Sequence, residues 1–129
     1  LAMYWESNRP GAFGGSAIWK ATRNSIHEQF TNPVNVSELN TNFAEGNSNG
    51  PCVLPDGLTI YFSSKRDGKQ YGDIYKATRN NQNVPFGNIQ KIGFSHPIDA
   101  DYWPYATPDE KEIYFQNRHV AYVGEIYPN

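Results

Sequence analysis

The stretch from Ile98 to Asp109, IDADYWPYATPD, holds the residues of this chain that are best suited to chemistry. Asp99 and Asp101 are two residues apart, so an extended backbone would point both carboxylates the same way. Paired carboxylates can bind calcium or carry out acid–base catalysis, and aromatic rings offer flat faces to a ligand. We therefore predict a ligand-binding set in this stretch: Asp99, Asp101, Tyr102, Trp103 and Tyr105.

A structural role for these residues is the competing interpretation, in which the rings pack inside the fold and the aspartates cap turns. Other catalytic signatures do not occur in the sequence. His27, His96 and His119 lack the spacing of metal ligands, and there is no nucleophile elbow or phosphate-binding loop. Cys52 is the single cysteine and is expected to be a small core residue. We assign no metal, no cofactor and no catalytic residue.

The chain is built from repeats. The string KATRN occurs twice, starting at Lys20 and at Lys76, and Tyr4 matches Tyr61 at a spacing of 57 residues. A third copy starts later, because GPCVLPDGLTIYF matches WPYATPDEKEIYF at a spacing of 53 residues. Several matches in the same order at nearly constant spacing indicate a repeat of about 53–57 residues.

Each repeat is predicted to consist of short antiparallel strands. The chain contains 11 Gly, 9 Pro and 14 Asn, which interrupt every helical pattern. TIYFSS and EIYFQN are rich in β-branched and aromatic residues, AIWKATR and DIYKATR alternate apolar and polar residues, and Leu54-Pro55-Asp56-Gly57 is typical of a turn. Weaker strands are expected near Val34 to Val36 and Ile89 to Ile92. Four strands then make one full repeat.

The strands predict a single repeat domain that spans residues 1–129. A partial repeat occupies 1–49, a full one 50–100 and a second partial one 101–129. The chain starts almost directly at a second strand, Ala2 to Ser7, and its last expected strand is Val123 to Tyr127. Ten strands follow from this, distributed as three, four and three.

The segment GPCVLPDGLTIYFSSKRDGKQYGDIY resembles the TolB-type, WD-like β-propeller repeat of bacterial proteins. That repeat reads Ser-Pro-Asp-Gly, an apolar-Tyr-Phe-Ser-Ser strand, an Arg-containing glycine loop and Asp-Ile-Tyr. The chain departs from it at Leu54 and Thr107, which stand at the Ser position, and at Ala17, which corresponds to Asp73. The resemblance implies an all-β fold of four-stranded propeller blades whose first strands line a channel, and a periplasmic or secreted location.

One chain of about 2.3 blades would be an incomplete propeller, since propellers typically close with about 4–8 blades. Its end blades would expose apolar faces and unpaired strand edges. We therefore expect the chain to associate with itself, and a six-bladed ring of two copies is favoured because closed symmetry is common. The alternative is a piece of a longer propeller with no independent function.

The resemblance favours a non-catalytic binding or scaffold module that recognises a protein or a glycan at the channel face. The alternative is a carbohydrate-active, glycoside hydrolase-like subunit that uses Asp99, Asp101 and Glu45. A net charge of −2 argues against a nucleic-acid partner. No apolar stretch is long enough for a membrane span.

Residues that recur in every copy are expected to build the scaffold. Arg9, Arg66 and Arg118 each follow a second strand, where they would tie a loop to its blade, and Asp56 and Asp109 belong to turns. Ligand binding by the arginines is the alternative. Function is expected where one copy departs from the others.

Overall fold

The computed structural model describes residues 1–12, 15–41, 47–68, 70–93, 101–117 and 120–125, the last of these as backbone alone. The described residues form strands and no helix, which confirms the all-β prediction. The described ranges contain ten strands: β1 (Ala2–Ser7), β2 (Ala17–Thr22), β3 (Thr31–Asn35), β4 (Ser48–Val53), β5 (Thr59–Ser64), β6 (Asp73–Thr78), β7 (Gly87–Lys91), β8 (Asp101–Ala106), β9 (Glu112–Asn117) and β10 (Val120–Glu125).

The strands form three antiparallel sheets in chain order. The first sheet is β1-β2-β3, the middle sheet is β4-β5-β6-β7 and the last sheet is β8-β9-β10. Each strand pairs with its neighbour in sequence, so the sheets are simple meanders. The predicted distribution of three, four and three strands is confirmed.

The strands β3, β7 and β10 are placed differently from the prediction. The outer strands β3 and β7 start at Thr31 and Gly87, ahead of the predicted Val34 and Ile89, because pairing continues beyond a bulge in each sheet. The β10 strand starts at Val120, three residues before the predicted position. The prediction followed the apolar and aromatic residues near the chain end, whereas in the structure the antiparallel pairing with β9 determines where β10 lies.

Strand register shows that the repeats are structurally equivalent. Tyr4 pairs with Lys20 in the first sheet, and Tyr61 pairs with Lys76 in the middle sheet. The loop of residues 8–16 is one residue longer than the loop of residues 65–72, which explains why the spacing between copies falls from 57 to 56. Sequence matches between the first two copies therefore correspond to equivalent positions in space.

The middle sheet packs between the other two. The alternation in β6 predicts that Ile74 faces one way and Tyr75 and Ala77 the other, and this is confirmed, because they belong to separate apolar clusters. Burial of large side chains on both faces of the middle sheet stabilises the fold, and each fully buried side chain contributes roughly 1.5–3 kcal/mol to the free energy of folding. The cluster against the first sheet contains Ile18, Val36, Leu39, Ile60, Phe62, Tyr75, Ala77 and Phe86; the cluster against the last sheet contains Leu54, Tyr61, Ile74, Ala106, Ile113 and Phe115.

The repeated arginines lie on aromatic rings beside their strands. The Arg66 guanidinium lies 4.8 Å from the ring centres of Phe62 and Tyr75 and donates a hydrogen bond to the Leu39 carbonyl at 2.7 Å. Arg9 lies 5.1 Å from the Trp5 ring and 5.0 Å from the Trp19 ring. Cation–π contacts of this kind hold the loop after the second strand against its sheet. The third arginine, Arg118, is outside the described residues.

Asp56 and Asp109 occupy equivalent turns. The Asp56 carboxylate accepts a hydrogen bond from the Leu58 backbone N–H at 2.9 Å. Asp109 accepts hydrogen bonds from the Thr107 hydroxyl at 2.7 Å and from the Lys111 N–H at 3.3 Å. These bonds, with the Thr107 hydroxyl foremost, lower the pKa of Asp109. Both aspartates therefore stabilise a turn between the first and second strands of a sheet.

Candidate functional site

The predicted ligand-binding set separates into three places in the structure. Asp101, the first residue of β8, is 4% exposed, and its carboxylate accepts a hydrogen bond from the Asn117 amide at 2.9 Å. The equivalent positions in the middle sheet are Ser48 and Ser64, whose hydroxyls lie 3.4 Å apart and are also buried. The carboxylate of Asp101 thus faces into the packed sheets and bonds across the β8–β9 pair, whereas the structural interpretation had it cap a turn.

Trp103 lies open to solvent. It sits in a bulge of β8, with 53% of its surface exposed and a φ of 49°. The matching bulge in β4 holds Gly50 at a φ of 55°. A positive φ costs most L-residues roughly 1–2 kcal/mol, and such strain often occurs at functional sites. The chain therefore carries a large aromatic ring where the preceding repeat has glycine.

The two bulges pack directly against each other. A Cβ atom added to Gly50 would lie 2.7 Å from the Trp103 Cα, so the close approach requires glycine. Tyr102 covers the backbone of Gly72 on the neighbouring sheet, where an added Cβ would lie 3.1 Å from its ring. The rings of Tyr102 and Trp103 are 5.9 Å apart and tilted. An aromatic surface results, fixed on backbone from two sheets.

Glu6 connects this surface to the first sheet. Its carboxylate accepts a hydrogen bond from the Gly50 N–H at 2.6 Å and another from the Trp103 indole N–H at 3.3 Å. Three repeats thus meet at one carboxylate, which orients the indole ring. The side chain of Ser16 bonds to Asn49 next to Gly50 and adds a polar border. We define the Glu6 surface as Glu6, Asn49, Gly50, Tyr102 and Trp103.

Sequence reasoning missed Glu6, although a signal was present. The matching residues in the other copies are Ser63 and Gln116, so Glu6 is a departure from the repeat of the kind expected to carry function. It stayed unnoticed because it lies 97 residues from Trp103 along the chain. Only the stacking of the sheets brings the two together.

Tyr105 lies on a different face from Trp103. It is 59% exposed and its ring lies 6.3 Å from that of Tyr114, which is 42% exposed. The equivalent of Tyr114 in the middle sheet is Tyr61, which is fully buried against the last sheet. The Tyr105–Tyr114 pair therefore covers the side of the last sheet that an additional sheet would bury.

The remaining candidates give no catalytic group within the described residues. Asp99, Glu45, His96 and His119 all lie outside them. Within the described part of the chain, no group of three histidine, cysteine or acidic residues could hold a metal ion. Cys52 packs in part against the cluster of the last sheet, and burial raises the pKa of its thiol. A raised pKa means less of the reactive thiolate.

The fold and the Glu6 surface define an all-β protein of stacked, repeated antiparallel sheets with an aromatic surface where three repeats meet. No family model matches the chain. The chain is 24% identical over 128 residues to "Uncharacterized protein Atu1656" of Agrobacterium fabrum, and the match includes 98% of the chain. It spans 39% of the length of that protein. None of the described residues belongs to a helix that could cross a membrane.

Proposed function

We propose that the chain is a non-catalytic binding module with propeller-type blades, and that it binds a glycan on the Glu6 surface. The observation that carries this proposal is the exposed Trp103 indole, which projects from a bulge with a positive φ and is oriented by its hydrogen bond to Glu6. A fixed, solvent-facing ring suits stacking on a sugar face, and nearby carboxylate and amide oxygens suit sugar hydroxyls. The contact between the two bulges fixes the strained backbone, and strain of this kind often occurs at functional sites.

A catalytic role is less well supported. A glycosidase needs two carboxyl groups that face its substrate, and Asp101 is buried against Asn117. Asp99 and Glu45 would then have to supply both groups, so the hydrolase alternative stays a prediction. Its test is the hydrolysis of aryl glycosides by the wild-type chain.

A glycan array tests the binding proposal directly. We expect Trp103→Ala to weaken binding to any glycan retained by the wild type by about tenfold or more, as truncation of a central tryptophan does at binding hot spots. Glu6→Gln should weaken binding less, because it loosens the ring without removing it. Ile26→Ala removes another exposed apolar side chain and serves as the matched control. Equal binding by Trp103→Ala and wild type, or capture of proteins but no glycans, would contradict the proposal.

The propeller part of the proposal rests on the two end faces of the stack. The Tyr105–Tyr114 side of the last sheet matches the side of the middle sheet that is buried. At the other end, Met3 and Trp5 of the first sheet match Ile60 and Phe62, which are buried against the preceding sheet. The two ends therefore carry residues that match those by which the middle sheet contacts its two neighbours, and this supports closure into a ring.

The length of the similar protein is consistent with six repeats. Since 128 residues are 39% of it, it has about 330 residues, enough for about six repeats of this size. Two copies of the present chain would supply the same number of sheets. We expect light scattering after size-exclusion chromatography to give at least twice the chain mass of 14.6 kDa. Tyr114→Glu should yield the monomer mass, and a wild-type monomer stable at micromolar concentration would refute closure by pairing.

A further inference from the structure

The contact between the middle and last sheets includes a buried tyrosine capped by a carboxylate. The Tyr61 hydroxyl donates a hydrogen bond to Glu110 at 2.7 Å, and Lys76 forms an ion pair with the same carboxylate oxygen at 2.8 Å. The Lys76 ammonium also lies 5.7 Å from the centre of the Tyr61 ring. Tyrosine, lysine and carboxylate thus form one compact unit at this contact.

The contact between the first and middle sheets repeats the tyrosine and the lysine but not the carboxylate. Tyr4 and Lys20 match Tyr61 and Lys76, and the Lys20 ammonium lies 5.8 Å from the Tyr4 ring centre. The residue that matches Glu110 is Gly57. Both adopt a positive φ, 71° for Gly57 and 55° for Glu110, so the backbone is the same and only the side chain is missing.

Two cavities adjoin the position of the missing carboxylate. Gly57, Tyr4 and Arg79 line a cavity of about 380 Å³, and Tyr4, Lys20 and Arg79 line an adjoining one of about 200 Å³. We call the two together the Tyr4 groove. Gln82 lines both cavities and its amide lies over Gly57, where an added Cβ would meet it at 2.9 Å.

The polar groups of the Tyr4 groove favour an anion. Arg79 donates a hydrogen bond to the Gly57 carbonyl at 2.7 Å and a longer one to the Tyr4 oxygen at 3.4 Å, which leaves the Tyr4 hydroxyl proton for an acceptor. Neither Lys20 nor Arg79 forms an ion pair in the described ranges. Glu38 also lines the smaller cavity, where its carboxylate accepts a hydrogen bond from the Phe86 N–H at 3.3 Å. Two cations therefore face one carboxylate that is already bonded.

We propose that the Tyr4 groove binds a carboxylate group of a ligand at the position that Glu110 fills in the next repeat. Tyr4 donates its hydroxyl proton to the carboxylate, Lys20 supplies the ion pair, and Arg79 adds a second positive charge. The ligand is a free carboxylic acid or an acidic side chain of a peptide, since both present the same group. This site is separate from the Glu6 surface and does not depend on glycan binding.

Binding can be followed by nuclear magnetic resonance titration of the full chain. The probes are acetate, as the free acid, and a capped Ala-Glu-Ala peptide, with capped Ala-Gln-Ala as the uncharged control. We expect shifts at Tyr4, Lys20 and Gly57 with at least one of the two acidic probes and none with the control. Saturation by acetate and the peptide to the same extent identifies a free acid site, whereas preference for the peptide identifies a peptide site. No shift at Tyr4 or Lys20 with either acidic probe overturns the proposal.

Variants of the chain test whether the repeat geometry is responsible. Lys20→Met should weaken binding about tenfold, as expected for loss of a charged hydrogen-bond partner. Gly57→Glu should supply the missing carboxylate from within the chain, so it should abolish binding and raise thermal stability. Gly57→Gln, whose side chain has the shape of glutamate but no charge, should not raise thermal stability. Glu110→Gly should open an equivalent second site beside Tyr61 and Lys76. Unchanged affinity in Lys20→Met and in Gly57→Glu would refute the site even if wild type binds the probe.

Discussion

Glu110 is expected to stabilise the fold through the Tyr61 hydroxyl, and Glu110→Gln tests this. Tyr61 is fully buried, so its hydroxyl needs a partner, and its hydrogen bond to the carboxylate is 2.7 Å long. A hydrogen bond to a charged group contributes about 1.5–3 kcal/mol to stability, whereas the half-exposed ion pair with Lys76 adds less than about 1 kcal/mol. Because glutamine keeps a weaker neutral acceptor, we expect a loss of about 1–2 kcal/mol in the free energy of unfolding.

The pH dependence of this loss follows from the pKa of Glu110. Burial by itself would raise that pKa, but hydrogen bonds from Lys76 and Tyr61 outweigh burial and hold it below its ordinary value. A carboxyl whose pKa is lowered on folding stabilises the protein above its unfolded pKa, near 4.3, and this stabilisation is lost as the pH falls through the folded value. The difference between wild type and Glu110→Gln should therefore be full at pH 7 and shrink below about pH 4.

The assay is urea unfolding followed by tryptophan fluorescence, with Tyr61→Phe and the double variant completing a cycle. We expect a coupling energy of about 1 kcal/mol or more between Tyr61 and Glu110 at pH 7. Coupling below about 0.3 kcal/mol would refute the reasoning, because residues that do not interact add within that range.

Three further outcomes are expected. Asp101→Ala should lower the unfolding free energy by about 2 kcal/mol, because it leaves the Asn117 amide unpaired, and Asp101→Ser should lower it less since serine occupies the matching position; chemical denaturation measures both. Trp103→Gly should leave stability unchanged or raise it by about 1 kcal/mol through relief of the positive φ, while glycan binding is lost; reduced stability would show that the ring serves the fold. Cys52 should react with a disulfide reagent more slowly in the native chain than in urea, because burial raises its pKa, and equal rates would contradict this.

Much of the fold could be predicted from local patterns. The strands β1, β5 and β9 have the bounds that their alternating and aromatic residues predict. An extended backbone points successive side chains to opposite faces, so this pattern can be read from neighbouring residues. The three-copy repeat predicts the distribution of strands among sheets, because each copy forms one sheet. The bounds of β3, β7 and β10 could not be predicted as well, since bulges and pairing partners decide where those strands begin.

The candidate site was predictable only in part. Trp103 and Tyr102 were singled out because their stretch departs from the other copies, and the two lie together. Their neighbour Asp101 is buried, because β8 pairs with β9 in a register that turns its carboxylate toward Asn117. An exposed and a buried aspartate look alike in a sequence. Glu6 departs from the repeat but was missed for a related reason: its partners are a backbone N–H and an indole on other sheets.

The sequence by itself therefore determined the repeat, the strand type and the turns, since these depend on residues close together in the chain. Tertiary structure decided which departures from the repeat meet. Gly50 and Trp103 differ by one side chain at matching bulges, and Gly57 and Glu110 by one at matching turns. Each difference matters only because the sheets stack. Stacking places Glu6 beside Gly50 and Trp103, and it places a tyrosine and a lysine beside Gly57 and another tyrosine and lysine beside Glu110.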